Sequence, residues 1–423
     1  WLKALAQVTK KLRIKLLASS FTCISQSRVP VKMRYLVLSA SLLCFVMAKP
    51  PADDKIGTAR WILSQTSWGV LTTTSVHLNG TAFGNPISVI DVGGTPYFYV
   101  SLMDTSMQDV QKHPKVSLSL SEASVDCAKL TLDPEDPRCI RLSLSGTMVN
   151  VTSKSEFDHA KTILFEQHPA MKSWPADHGW LIYKLEIQDI WLVAKFGGPA
   201  LLSTKDYFAA PAPDRGHPEN PAHEPKHWQP LFTHKAKTAR WLIRESDWAT
   251  LATTSVHLNG TSFGNPISVS DGLDDNATGV PYMLLSTMDT SSEDLAKNAK
   301  CTLTFSQAEV NCGLHGIMGP LDPEDPRCTR LSLTGTMVDV TDDAEKLFAQ
   351  KILVAKHPAM KDWLELKDFH FVKLQIEAVW LIDFFGGASH IAVEDYFKAA
   401  AAEMKSSSDP APHVAPAART QFV

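Results

Sequence analysis

Four of the five cysteines downstream of residue 48 fall into two matching pairs. Cys127 and Cys139 flank the run Leu132-Asp-Pro-Glu-Asp-Pro-Arg138, and Cys312 and Cys328 flank its copy at 321–327. Two thiols at the ends of a short loop close a disulfide in an oxidising compartment or contribute to a zinc site. No histidine spacing supports zinc, so disulfides are expected, with zinc as the rival. Each bridge stabilises by roughly 3 kcal/mol if unstrained. Cys301 has no counterpart, since Lys115-Val116 holds that place in the first copy. It is expected to be a buried free thiol, with an intermolecular bridge as the alternative. Four sequons, Asn79-Gly-Thr81, Asn150-Val-Thr152, Asn259-Gly-Thr261 and Asn276-Ala-Thr278, offer glycan acceptors, whose bearers must face solvent.

The other histidine and tryptophan candidates are weaker. There is no HExxH, GxSxG or P-loop to support hydrolysis or phosphoryl transfer. His77 and His257 sit beside sequons and read as surface or packing residues. His217, His223, His227 and His234 lie in a Pro-rich stretch where nothing fixes metal geometry, so a solvated spacer is expected. Trp61, Trp68, Trp174, Trp180 and Trp191 are assigned to core or barrel–barrel contacts. No catalytic, cofactor-binding or metal-ligating residue is assigned.

The net charge of −4 is the sum of two unlike parts. Residues 1–48 hold eight of the 41 Lys and Arg and no acidic residue, leaving 33 basic against 45 acidic groups, a net of −12, in the remainder. That remainder repels a polyanion, which argues against nucleic-acid binding. Within the basic part, Arg34 precedes an apolar run from Tyr35 to Met47, too short to span a bilayer, and a cut after Ala48 is expected. A signal peptide at about 33–48 follows, with a membrane anchor as the rival. Translation is expected to start at Met33, with 1–32 an upstream extension.

What positions these residues is a duplication. Thr73-Thr-Ser-Val-His-Leu-Asn-Gly-Thr81 recurs unchanged at 253–261, and Phe83-Gly-Asn-Pro-Ile-Ser-Val89 at 263–269, both offset by 180. The offset becomes 185 at Met103-Asp-Thr-Ser106 and 189 from Leu132 onward, which places inserted surface loops near 271–278 and 313–318. The expected organisation is a leader and extension at 1–48, domain 1 at 53–208, a Pro-rich extended linker at 209–234, domain 2 at 235–400 and a disordered tail at 401–423. Within one copy, the patterning predicts a helix over 54–64 and strands at 68–75, 87–90, 97–101, 115–121, 140–144, 181–188 and 190–196. Ser153-Lys-Ser-Glu156 reads as a capping box opening a helix to Gln167. Many short strands and few helices favour a closed or nearly closed antiparallel barrel, mainly β with α.

The opening Ala59-Arg-Trp61, the Trp68-Gly-x-Leu strand, the paired Cys around Asp-Pro-x-x-Pro, Leu144-Ser-Gly-Thr147, His168-Pro-x-Met-Lys-x-Trp174 and Phe196-Gly-Gly-Pro199 together resemble the CREG family of secreted glycoproteins. The resemblance spans nearly all of 55–208 and 235–397; Ala388 in place of Pro199 and Leu364 in place of Pro175 are local departures. It implies two tandem split β-barrels of the FMN-binding, pyridoxamine-phosphate-oxidase type. Such barrels pair as dimers, so an intramolecular pseudo-dimer is expected here. It also implies a non-enzymatic binding protein without flavin, extracellular or endolysosomal, recognised by a mannose-6-phosphate-type receptor, with effects on growth and differentiation. The alternative is an FMN-dependent oxidoreductase. Against it, related oxidases place Lys or Arg after the third strand to neutralise the cofactor phosphate, whereas this chain has Met103-Asp-Thr-Ser-Met-Gln-Asp109 and Met288-Asp-Thr-Ser-Ser-Glu-Asp294. The acidic loop at 132–138 is expected to occupy the old cleft, and Gly84-Asn-Pro86 to be a barrel turn.

Overall fold

The computed structural model describes residues 49–213, 225–273, 276–312 and 321–399. The leader, the tail and the second inserted loop read from the sequence lie outside these residues. Each sequence copy folds as a curled antiparallel sheet. In the first copy, helix α1 (Lys55–Gln65) leads into β1 (Trp68–Thr74), β2 (Ala82–Ser88), β3 (Ile90–Val92) and β4 (Thr95–Val100). Then come α2 (Thr105–Lys112), β5 (Lys115–Ser121), β6 (Arg141–Asn150), α3 (Lys154–Gln167), β7 (Leu181–Val193), β8 (Ala200–Leu201) and α4 (Thr204–Ala209). The sheet runs β2-β1-β5-β6-β7-β4-β3, with β8 paired to β7. The second copy repeats this with α5 (Lys235–Glu245), β9 (Trp248–Thr254), β10 (Ser262–Ser268), β11 (Tyr282–Ser286), α6 (Thr290–Lys297), β12 (Lys300–Ser306), β13 (Arg330–Asp339), α7 (Asp343–Lys356), α8 (Met360–Trp363), β14 (Phe369–Ile382), β15 (Ser389–Ile391) and α9 (Val393–Lys398). Its order is β10-β9-β12-β13-β14-β11, with β15 on β14.

The β-branched and alternating runs form strands because every second side chain can enter a core. Leu71, Phe98, Leu118, Leu142 and Leu144 fill the first barrel, and Leu251, Met283, Leu303 and Leu333 the second. Helix α3 covers one mouth with Ile163 and Leu164 against Tyr99, and α7 does the same with Ile352 and Leu353 against Leu284.

Four local expectations change. Gly84-Asn-Pro86 is the middle of β2, not a turn, with Gly84 opposite Thr72 and Pro86 opposite Val70. Proline fits because β2 is an edge strand of its own sheet, where a missing N–H breaks no ladder bond. The strands expected at 181–188 and 190–196 are one, β7. Ser145 pairs with Asp189 and Gly146 with Ile187, so Gln188 is a bulge that shifts the inward-facing residues by one and imitates a strand break. The capping box at Ser153 does not form. Glu156 is drawn instead to the Tyr97 hydroxyl at 2.7 Å and the Lys184 ammonium at 2.8 Å.

The fourth change concerns the linker. Its last described stretch docks on the second barrel: His227 is buried, with Nδ1 2.6 Å from Glu245 Oε1, and its carbonyl accepts the Trp241 indole N–H at 2.9 Å. Gln229 donates to Thr329 Oγ1 at 3.0 Å. A solvated spacer is therefore wrong for His227. Glu245 and Arg244 stand where the first copy has Gln65 and Ser64, so only the second helix offers charged partners for the imidazole.

Candidate functional site: the seam between the barrels

The edges left open by β2 and β10 are where the barrels meet. Carbonyls on one side of β2 accept from the second barrel: Ala82 O from Thr302 Oγ1 at 2.7 Å and Gly84 O from Ser332 Oγ at 2.7 Å. Reciprocally, Ser262 O on β10 accepts from Ser117 Oγ at 2.6 Å, and Ser262 Oγ donates to Thr72 O at 2.7 Å. The approach is close enough to demand glycine. A Cβ on Gly84 would lie 2.4 Å from Thr304 Oγ1, and one on Gly264 would lie 2.8 Å from Thr72 Cγ2. Aromatic rings complete the seam. Trp68 stacks on Trp248 at 5.7 Å, while Trp191 meets Phe263 and Trp380 meets Phe83 edge-on at 5.3 and 5.4 Å.

The two Asp-Pro-Glu-Asp-Pro loops cross this seam. Asp133 of the first barrel accepts from Ser268 Oγ at 2.6 Å and lies 2.8 Å from His357 Nδ1, both in the second. Asp322 answers with Ser88 Oγ at 2.6 Å and His168 Nδ1 at 2.7 Å. The other imidazole nitrogens face Val269 O at 3.0 Å and Val89 O at 3.3 Å. Burial opposes ionisation of both aspartates, but the histidine and serine hydrogen bonds outweigh it and hold each carboxyl below its ordinary range. Two residues on, Glu135 Oε2 accepts the Ser268 amide and Glu324 Oε2 the Ser88 amide, each at 2.9 Å. Each glutamate is half-buried. That burial pushes both carboxyls up to about 8, against the pull of Arg141 and Arg330.

The cysteines stand at the base of these loops. Cys127 is bonded to Cys139 and Cys312 to Cys328, with Cα separations of 5.7 and 4.8 Å. Cys312 and Cys328 pack with Trp68 and Trp248 in the seam itself. Among the described residues, Glu122 comes within ligand range of Cys127 and Cys139, but those sulfurs are bonded to each other and Glu122 holds Lys49 at 2.5 Å. Zinc therefore lacks its thiolates. Cys301 is free and buried in the second core, and burial pushes its thiol up to about 12.

A cleft of about 430 Å³ runs beside the first loop, lined by Thr131, Leu132 and Asp133 and, opposite, by Asp247, Glu309 and Lys356. The last three replace Ser67, Ser124 and Gln167 of the first copy. Two of these groups are used by the protein's own backbone. Glu309 accepts the amides of Asp247 and Trp248 at 2.7 and 3.0 Å, and Lys356 donates to Arg244 O and Ser246 O.

The positions where the family resemblance would call for cations hold aspartates that are already hydrogen-bonded. Asp104 caps α2 by accepting the Ser106 amide at 2.8 Å and receives Asn85 Nδ2 at 3.1 Å. Asp289 does the same at α6 with Ser291 at 2.8 Å and Asn265 at 3.0 Å. A carboxylate seated at a helix N-terminus takes one of its free N–H groups and repels a second anion such as a phosphate.

The four sequon asparagines are not brought together. Asn79 and Asn259 are exposed in matching turns with φ of 52° and 51°, Asn150 is exposed at the end of β6, and Asn276 is exposed in the first inserted loop. His77 is exposed and meets Gln108 at 2.9 Å, whereas His257 reaches across the seam to Asp189 at 2.9 Å. Of the seam groups, His168 enters the sequence patterns only as part of its motif, and His357, Arg141 and Arg330 are not singled out there. Their signal was present: each recurs with its neighbours in both copies.

The fold and seam define a tandem member of a β-barrel family, and the chain belongs to the CREG family: a profile described as "CREG, beta-barrel" matches residues 50–209 and 230–398. Among its relatives, "Protein CREG2" of Homo sapiens is 38% identical over 171 residues, covering 38% of this chain and 59% of that protein. "Protein CREG1" of Homo sapiens is 36% identical over 167 residues, covering 38% of this chain and 76% of that protein. The chain thus spans less than two thirds of the length of the first of these. Similar solved structures include a heme binding protein from Mycobacterium smegmatis (19% identity, TM-score 0.32, 38% of this chain and 60% of that one). Another is a FAD-binding protein from Mesorhizobium loti (12% identity, TM-score 0.25, 32% and 90%). No helix among the described residues is long and apolar enough to cross a membrane.

Proposed function

We propose that this protein is a secreted, glycosylated binding protein of the CREG type that performs no chemistry and holds no flavin. It acts along the extracellular and endolysosomal route and is taken up through its glycans by a mannose-6-phosphate-type receptor, with consequences for growth and differentiation. One observation supports the reading: the protein's own acidic loops cross the seam between the barrels, where the family resemblance puts the ancestral flavin cleft, and Asp104 and Asp289 cap the neighbouring helix N-termini. The residues present do not fit a flavin phosphate, because the groups at the site are carboxylates and the nearby arginines face loop glutamates. Exposed sequon asparagines and two disulfides agree with passage through an oxidising secretory compartment.

Two measurements on natively secreted protein test this. The visible spectrum should lack flavin bands, and a stoichiometric flavin spectrum would overturn the reading in favour of an oxidoreductase. Intact mass should fall on enzymatic deglycosylation, and an unchanged mass would remove the glycan route to a receptor.

A further inference from the structure

We propose that the seam is an acid-tightened clamp: the two acidic loops grip the opposite barrels most firmly below neutral pH and loosen in mildly alkaline solution. The geometry sets this up twice. Each loop presents an aspartate and a glutamate to the opposite barrel, two residues apart, and gives them different surroundings. The aspartate meets an imidazole and a hydroxyl, the partners an ionised carboxylate wants. Among the described residues, the glutamate's hydrogen-bond partner is a backbone amide, Ser268 N for Glu135 and Ser88 N for Glu324.

The charges facing each glutamate come from every side of the seam. Glu135 faces Asp133 on its own loop, Arg141 on β6 and Asp289 at the start of α6, with His357 held beyond Asp133. Glu324 faces Asp322, Arg330 on β13 and Asp104 before α2, with His168 held beyond Asp322. One cation thus stands against two anions in each case, and the cation is shared: Arg141 lies 4.0 Å from Asp289 and donates to Asn265 Oδ1 at 3.3 Å. Ionising either glutamate in place sets a further negative charge among those anions. A loop withdrawn into water carries no such penalty.

The sign follows from the direction of the shift. Burial raises both glutamates from 4.5 to about 8, so the docked loops hold protons that the released loops give up. Docking is strongest near pH 4.5 and weakens as pH climbs toward 8, by up to about tenfold per pH unit for each loop. The aspartates, held below 3.8, set the opposite limit: their contribution is lost only as pH falls below that value.

Hydrogen exchange read by mass spectrometry on the full chain tests the clamp, because the amides of Ser88 and Ser268 report each grip separately. After correction for the intrinsic pH dependence of exchange, opening at peptides 82–90 and 262–270 should increase by about tenfold or more between pH 5.5 and 8. In Glu135→Gln the 262–270 peptide alone should lose this response, and in Glu324→Gln the 82–90 peptide alone. A wild-type response absent from both peptides, or one that survives in both variants, would overturn the proposal. Each variant keeps one native grip, so misfolding of one is checked against the other.

Discussion

Replacing His357 with alanine attacks the seam at one point and leaves both barrel cores alone. The ring is buried, with only 2% of its side chain exposed, and it makes two contacts, Nδ1 to Asp133 Oδ2 at 2.8 Å and Nε2 to Val269 O at 3.0 Å. Its loss strands a buried carboxylate that keeps only the Ser268 hydroxyl and the Glu135 amide, and it leaves a backbone carbonyl without a donor. Breaking a buried pair from one side costs about 3–5 kcal/mol, most of it the penalty on the partner left behind. Denaturant unfolding near pH 6.5, where Asp133 is ionised, should show that loss, followed by tryptophan fluorescence because Trp68 and Trp248 stack across the seam. His168→Ala should cost a similar amount through Asp322, its ring contact to Val89 O being longer at 3.3 Å. A double-mutant cycle with Asp133→Ala should return a coupling of about 1–3 kcal/mol. A single-variant cost below about 1 kcal/mol, or a coupling near zero, would refute the idea that the crossing loops hold the barrels together.

Three further outcomes follow from the same geometry. Cys127→Ser with Cys139→Ser should lower stability by about 3 kcal/mol, since the bridge closes a loop with a sequence separation of 12; reduced and oxidised unfolding curves measure it. Gly264→Ala should cost about 1–3 kcal/mol, because the added Cβ meets Thr72 Cγ2 at 2.8 Å and Ser119 Cβ at 3.0 Å across the seam, and a thermal melt reads the loss. Cys301 should resist a maleimide at pH 8 in the folded protein and react once unfolded, because its thiol is buried and raised to about 12.

Much of the fold was legible because burial writes itself into local patterns. The alternating run at 115–121 predicted β5, the β-branched run at 68–75 predicted β1, and repetition at offsets of 180 to 189 fixed two copies of one domain. The misread segments were those whose meaning depends on something distant in the chain. Gly84-Asn-Pro86 looks like a turn until a second barrel lies against it, and Gln188 looks like a strand break until β6 shows it to be a bulge. His227 looks like a spacer residue until Glu245 is placed beside it.

By itself the sequence determined the duplication and the places where glycans could attach, and it pointed to the barrel class and to the pairing of four cysteines. These rest on periodicity, on repetition and on short-range spacing, all properties of neighbouring residues. Only the tertiary structure decided that Asp133 answers His357, that Asp322 answers His168, and that Glu135 and Glu324 stand in each other's barrels. An ionisable group takes its proton affinity from the charges and the water around it, and the histidines that face Asp133 and Asp322 lie more than a hundred residues away from them.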